Sequence, residues 1–199
     1  MRAAKLAAVA VCLCLVVIGL SAQLSWADDA FARITGSVQG VILGDQPALP
    51  GIPLALNSVQ VFGTGFNLAN PAGAIPGQVT GKLTAGPLSI VKRFDRASPK
   101  LLRAAFTSEP MTVEIIWFMI GGGAPGSPLV RQTVSVRLDG AVITKIEAGA
   151  SLVGTNGSAN EEVSFTYSRI TLTVPTINAQ GQTTGTTSVC LDLVVGKDC

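Results

Sequence analysis

The sequence predicts a mainly β, single-domain protein, and three observations carry that reading. The 199 residues are 48% hydrophobic and only 13% charged, enough apolar material for a packed core. Short runs rich in Val, Ile and Thr recur between Gly and Pro punctuation, the pattern of strands separated by turns. Only Ser98–Phe106 carries helical spacing.

The first 27 residues form a separate object. Arg2 and Lys5 make a positive start, Leu6 to Leu20 is an unbroken apolar run, and Ser25-Trp26-Ala27 places small residues where a signal peptidase inspects. The run falls short of the roughly 20 residues needed to span a bilayer, so a cleaved secretory signal at 1–27 is expected rather than a membrane anchor. Cleavage after Ala27 leaves one domain over 28–199, secreted or periplasmic. It also lowers Lys+Arg from 14 to 12 against 12 Asp+Glu, so the mature chain is formally neutral. A neutral chain gives no reason to expect nucleic-acid binding, and nothing after the leader calls for a membrane. Two cysteines remain, Cys190 and Cys199. In an oxidising compartment they are either bridged, which ties down the C-terminus, or two thiols on a mobile tail.

Asp28 to Ala30 reads as a frayed leader. Phe31 to Leu43 reads as a first strand, kinked by Gly36 and Gly40, and Leu54 to Phe62 as a second. Gly63 to Gly86 is rich in Gly, Ala, Asn and Pro and is expected to project as a long loop or loose hairpin, with a short strand over Gln78 to Leu83. Leu88 to Val91 reads as a strand, followed by a polar turn and a helix over 99–107. Ser98 is placed to cap that helix and Pro99 to open it. Leu101, Leu102, Ala105 and Phe106 share one face, which at two turns must dock on a sheet.

Met111 to Ile120 ends apolar on both faces. Ile115, Trp117 and Met119 can fill a core, so Ile116, Phe118 and Ile120 need cover from the helix or another subunit and are the candidate subunit interface. Leu129 to Glu147 alternates throughout. Asp139-Gly140 fits a hairpin turn or a kink, and the shared parity of Val134, Val136, Leu138, Val142, Thr144 and Ile146 favours the kink. In Glu162 to Pro175 the phase slips near Ser168-Arg169, predicting a bulge there. Ser188 to Val195 closes the sheet.

There is no histidine, which removes the usual general base and the commonest zinc ligand. Two cysteines cannot make a four-ligand zinc site, and Gly121-Gly122-Gly123 does not precede a helix as a phosphate loop would. Glu161-Glu162 reads as the solvated end of a strand. No enzyme and no cofactor are therefore expected. The one local charge imbalance is Lys92, Arg93, Arg96, Lys100 and Arg103, either a solvated face or a contact for an acidic partner surface.

LSIVKRFDRASPKLLRAAF, then VEIIWFM, VSVRLDGAVITKI and EEVSFTYSRITLTVP, with Cys190-Leu191-Asp192-Leu193 near the end, resembles the hemolysin-coregulated protein (Hcp) family of type VI secretion tube proteins. The resemblance runs from about Ile34 to about Lys197. It implies a β-barrel of two antiparallel sheets with one flanking helix. It further implies a non-catalytic structural protein that assembles as a hexameric ring. Such rings stack into a tube with spike and sheath components as partners and small effectors inside, and Gly63 to Gly86 contacts the next ring. The leader supports an alternative, an exported monomeric binding module of the same fold.

Overall fold

The computed structural model describes residues 27–70, 83–124, 127–149, 159–178 and 183–199. The predicted leader up to residue 26, all but Leu83 of the short strand expected over Gln78 to Leu83, and parts of several loops lie outside them. Two antiparallel sheets wrap one core and share a single long strand.

The N-terminal strand β1 (Ala27–Gly36) is not frayed. It pairs along its whole length with β8 (Met111–Ala124), Ala27 opposite Ile120 and Gly36 opposite Met111. It does not continue through a kink either. The chain turns at Ser37–Gln39, and β2 (Gly40–Ile42) returns antiparallel to β1. The expected second strand opens instead in a 3-10 turn, Pro53–Ala55, and only β3 (Val59–Val61) is extended, pairing with Ala30–Ala32.

From Gly63 the chain makes β4 (Gly63–Gly65) and then a separate hairpin of β5 (Leu68–Ala69) with β6 (Thr84–Ala85). β7 (Leu88–Arg93) runs between β4 and β10 (Asn160–Thr166). Phe62 donates its amide to the Val91 carbonyl at 2.8 Å, joining the end of β3 to β7 and closing the wrap on that side.

β9 (Ser127–Gly149) is the shared strand. Ser135–Asp139 pair with β11 (Arg169–Ile177) in one sheet, and Val142–Gly149 pair with β10 in the other. Gly140 makes the crossing. Its φ of +62° is a conformation L-residues avoid, and it leaves β9 one residue longer than β8 between Leu138 and Ala141. The kink expected at Asp139-Gly140 is present, but parity is not kept across it. Val136 and Leu138 face the core before the kink, and Ala141 and Ile143 after it. The slip expected at Ser168-Arg169 is the matching event on the other side: β10 stops, and β11 starts in the second sheet. Ser168 binds the kink directly, its amide and hydroxyl both donating to the Asp139 carbonyl at 3.2 and 2.9 Å.

The last long strand, β12 (Thr183–Asp192), begins earlier than expected and pairs with β11. A tight turn then leads to β13 (Lys197–Asp198).

The one helix among the described residues, α1 (Ser98–Thr107), packs on β9 through Leu101 and Ala104, which are fully buried together with Ala97. Its docking face is therefore rotated from the expected one: Leu102 is 63% and Phe106 91% exposed. Ser98 does not cap it. Asp95 serves the N-terminus instead, its carboxylate accepting from the Ala97 amide at 2.9 Å and its carbonyl from Ser98 at 3.0 Å. The helix ends where Ser108 turns left-handed before Pro110.

Candidate interaction surfaces

The five basic residues do not form one surface. On β7 the buried side chains alternate Leu88, Ile90, Lys92, so the strand period carries Lys92 inward. Lys92 is fully buried opposite Glu161, its cross-strand partner on β10, and the ammonium lies 2.6 Å from the Glu161 carboxylate. Asp95 at 2.8 Å, Ser98 Oγ at 3.0 Å and the Arg93 carbonyl at 2.7 Å complete its shell. The Ser98 hydroxyl also donates to Glu161 at 2.6 Å, and its oxygen accepts from Lys92 Nζ and from the Asp95 amide at 3.1 Å, which leaves it no lone pair for the helix N-terminus. Lys92 is thus no contact for an acidic partner, and Glu161 is no solvated strand end. Together they clamp the start of α1 to β7 and β10. The signal was present in the sequence, because Glu161 shares parity with Val163 and Phe165, both inward.

Arg96 is exposed but engaged. Its guanidinium donates to the Gly44 carbonyl at 2.7 Å and to Asn57, and pairs with Asp45 at 3.2 Å, holding down the 44–57 segment. Arg93 lies 5.0 Å above the Phe62 ring, a cation–π contact that leaves it at the surface. Lys100 and Arg103 are exposed on α1, and among the described residues neither makes an ion pair. Arg93, Lys100 and Arg103 therefore remain open to an acidic surface.

Sequence reasoning missed Glu109, which is buried just beyond α1. Its carboxylate accepts from the Val38 and Gln39 amides at 2.7 and 2.8 Å and from Gln39 Nε2 at 2.9 Å, fastening the β1–β2 turn to the helix end. Gly36 leaves the room this needs, since a Cβ there would run into the carboxylate. The Gln39 amide above all, then the Gln39 side chain and the Val38 amide, hold Glu109 below the usual carboxylate range, despite the opposing effect of burial. The sign follows: the contribution is present at neutral pH and is lost as pH falls through the depressed value. We expect the Val38 and Gln39 amides to lose exchange protection as pH falls through that depressed value, and Glu109→Ala to show at pH 7 the low protection that the wild type shows in acid. Protection unchanged in the variant counts against this role.

Ile116 and Phe118 are not a subunit interface in this structure. Both are buried in a second apolar cluster with Phe31, Ile52 and Ala55, Phe118 packing on Phe31 at 6.1 Å between ring centroids. The cover predicted to come from the helix or another subunit is supplied by the chain's own Leu49–Ala55 turn. The side chain of Ile120 lies outside the described residues.

Among the described residues, the open faces include the β5–β6 hairpin, whose strands pair only with each other, and the Leu102/Phe106 side of α1. At the C-terminus Cys190 and Cys199 are joined, with Cα atoms 5.3 Å apart, and the Cys199 amide donates to the Cys190 carbonyl at 3.1 Å.

Comparison with known proteins agrees with this architecture. The profile of the family described as "Type VI secretion system effector, Hcp" matches residues 56–174. The chain is 32% identical over 157 residues to the "Major exported protein" of Pseudomonas aeruginosa, covering 74% of this chain and 89% of that one. Among solved structures, Hcp1 from Salmonella typhimurium superposes with a TM-score of 0.63 at 20% identity, over 87% of this chain and 99% of its own. The secreted protein Hcp3 from Pseudomonas aeruginosa gives 0.53 at 28%, over 81% and 97%. With two antiparallel sheets, one flanking helix and a family match across most of the wrap, the chain belongs to the Hcp family of type VI secretion system proteins.

Proposed function

We propose that the chain is a non-catalytic tube subunit: it closes into a six-membered ring, and rings stack into a tube that carries small effectors. The observation that supports this best is the β5–β6 hairpin. It pairs with neither sheet, and Phe66 and Leu68 at its root stay partly exposed, an apolar surface for the next ring to cover. A head-to-tail ring gives each subunit two different faces, and it closes only at the right rotation. Arg93, Lys100 and Arg103 serve as contacts for an acidic face on a spike, sheath or effector protein.

Light scattering coupled to size exclusion should return a hexamer mass for the purified chain, with rings in negative-stain micrographs. A strict monomer at high concentration would favour the exported binding module instead. Lys100→Glu with Arg103→Glu should abolish binding to an acidic partner while leaving the ring mass unchanged; loss of the ring would place these residues in assembly. The leader is expected to be removed after Ala27, so the intact mass of exported protein should begin at Asp28, the second residue of β1.

A further inference from the structure

The C-terminal disulfide is anchored on the strand against which the root of the β5–β6 hairpin lies. Leu191, next to Cys190, lines two adjoining hollows. One, about 180 Å³, is bounded by Leu83, Leu191, Leu193, Gly196 and β13. The other, about 70 Å³ and almost wholly apolar, is bounded by Phe66, Leu68, Val189 and Leu191. Phe66 and Leu68 belong to the outgoing side of the hairpin root and Leu83 to the returning side. Both sides therefore rest on the end of β12 and the turn that follows it.

That floor is held in two ways. Asp192 accepts from the Val194 and Val195 amides at 3.0 and 3.1 Å and pairs with Arg169 at 3.0 Å, which shapes the turn. Beyond the turn, β13 meets β12 through only two residue pairs, Leu191 with Asp198 and Asp192 with Lys197. A ribbon of that length does not hold itself in water. What fixes it is the bridge from Cys199 to Cys190.

We propose that the Cys190–Cys199 disulfide is a redox-sensitive brace for the hairpin: closed, it keeps β13 on β12 and the hairpin root seated; open, β13 leaves and the root loosens. Cys199 is exposed and Cys190 half-buried, so Cys199 is the sulfur within reach. A thiolate of a dithiol reductant attacks Cys199 Sγ, the S–S bond breaks, and Cys190 departs as thiolate and takes up a proton. The second thiol of the reductant then displaces Cys199. The dithiol becomes a cyclic disulfide, and its two electrons and two protons reside on the cysteines. The proposal builds on the tube reading in one respect, that a loosened hairpin stacks rings poorly.

Amide hydrogen exchange on the full oxidised protein, before and after dithiothreitol, tests it. The Gly86 amide, which donates to the Asn67 carbonyl at 2.8 Å at the hairpin root, is the reporter, with the Cys199 amide as control for release of β13. On reduction both should exchange at least about tenfold faster, equivalent to about 1.4 kcal/mol, while amides of β1 and β8 stay unchanged. Cys190→Ser with Cys199→Ser should match the reduced protein. Leu83→Ala should speed Gly86 alone, with the bridge intact. Gly86 unchanged when Cys199 is released, or Cys199 still protected after reduction, overturns the brace. Sedimentation of the same samples should show intact rings and fewer stacks after reduction. Absence of rings even when oxidised sinks the tube reading and leaves the exchange result to decide the brace.

Discussion

Lys92→Met should destabilise the protein by about 3–5 kcal/mol in urea unfolding, because it leaves Glu161 charged and buried with no counter-ion. Glu161 is 2.6 Å from the ammonium and almost wholly out of water, and only the Ser98 hydroxyl remains to it. The pair need not itself be strongly stabilising, since bringing two charges out of water offsets most of their attraction. The decisive comparison is therefore Lys92→Met with Glu161→Leu, which should recover most of the loss. A single variant that loses under about 1 kcal/mol would show the site reached by water, since exposed pairs contribute no more than that. Because Asp95 also contacts Lys92 and serves the start of α1, the single variant should loosen the helix as well, visible as faster exchange at the Leu101 amide.

Gly140→Ala should cost about 2–3 kcal/mol, from two separable causes. At φ +62° any Cβ is strained, and this Cβ would also overlap the Ser168 hydroxyl. In a Ser168→Ala background the overlap is gone, and the added cost of Gly140→Ala should fall to about 1–2 kcal/mol. The two substitutions are thus expected to be non-additive, as neighbours in contact are. Equal costs in both backgrounds would mean that Ser168 moves aside freely and that the two sheet crossings are not coupled.

How far the sequence alone reached depended on whether a feature is set by the strand period or by what packs on it. Alternation placed Met111 to Ile115 and Val163 to Tyr167 correctly, since a period of two survives any arrangement of neighbours. It also carries the burial of Lys92, whose parity points to the core while its charge points to the surface. The helix failed differently. Leu102 and Phe106 are as apolar as Leu101, so composition could not choose the docking face; the clamp at Ser98 fixes the rotation. Ser98 leaves the capping role because its oxygen already accepts from the buried Lys92 ammonium and from the Asp95 amide. Ile116 and Phe118 were correctly read as needing cover. Their partner, a 3-10 turn around Pro53, carries no periodic signal from which contact could be inferred.

The pairing of β1 bears on when such a chain can fold. Its longest partnership is with β8, where Gly36 meets Met111 and Ala27 meets Ile120. Until β8 has been synthesised, β1 has only β2 and β3 to bind, which are too short to hold a sheet alone. Native structure at the start of the polypeptide therefore waits on residues far downstream, and closure of such distant pairs is slow. A nascent chain of this design has no closed sheet at β1 until β8 arrives, and becomes compact only then.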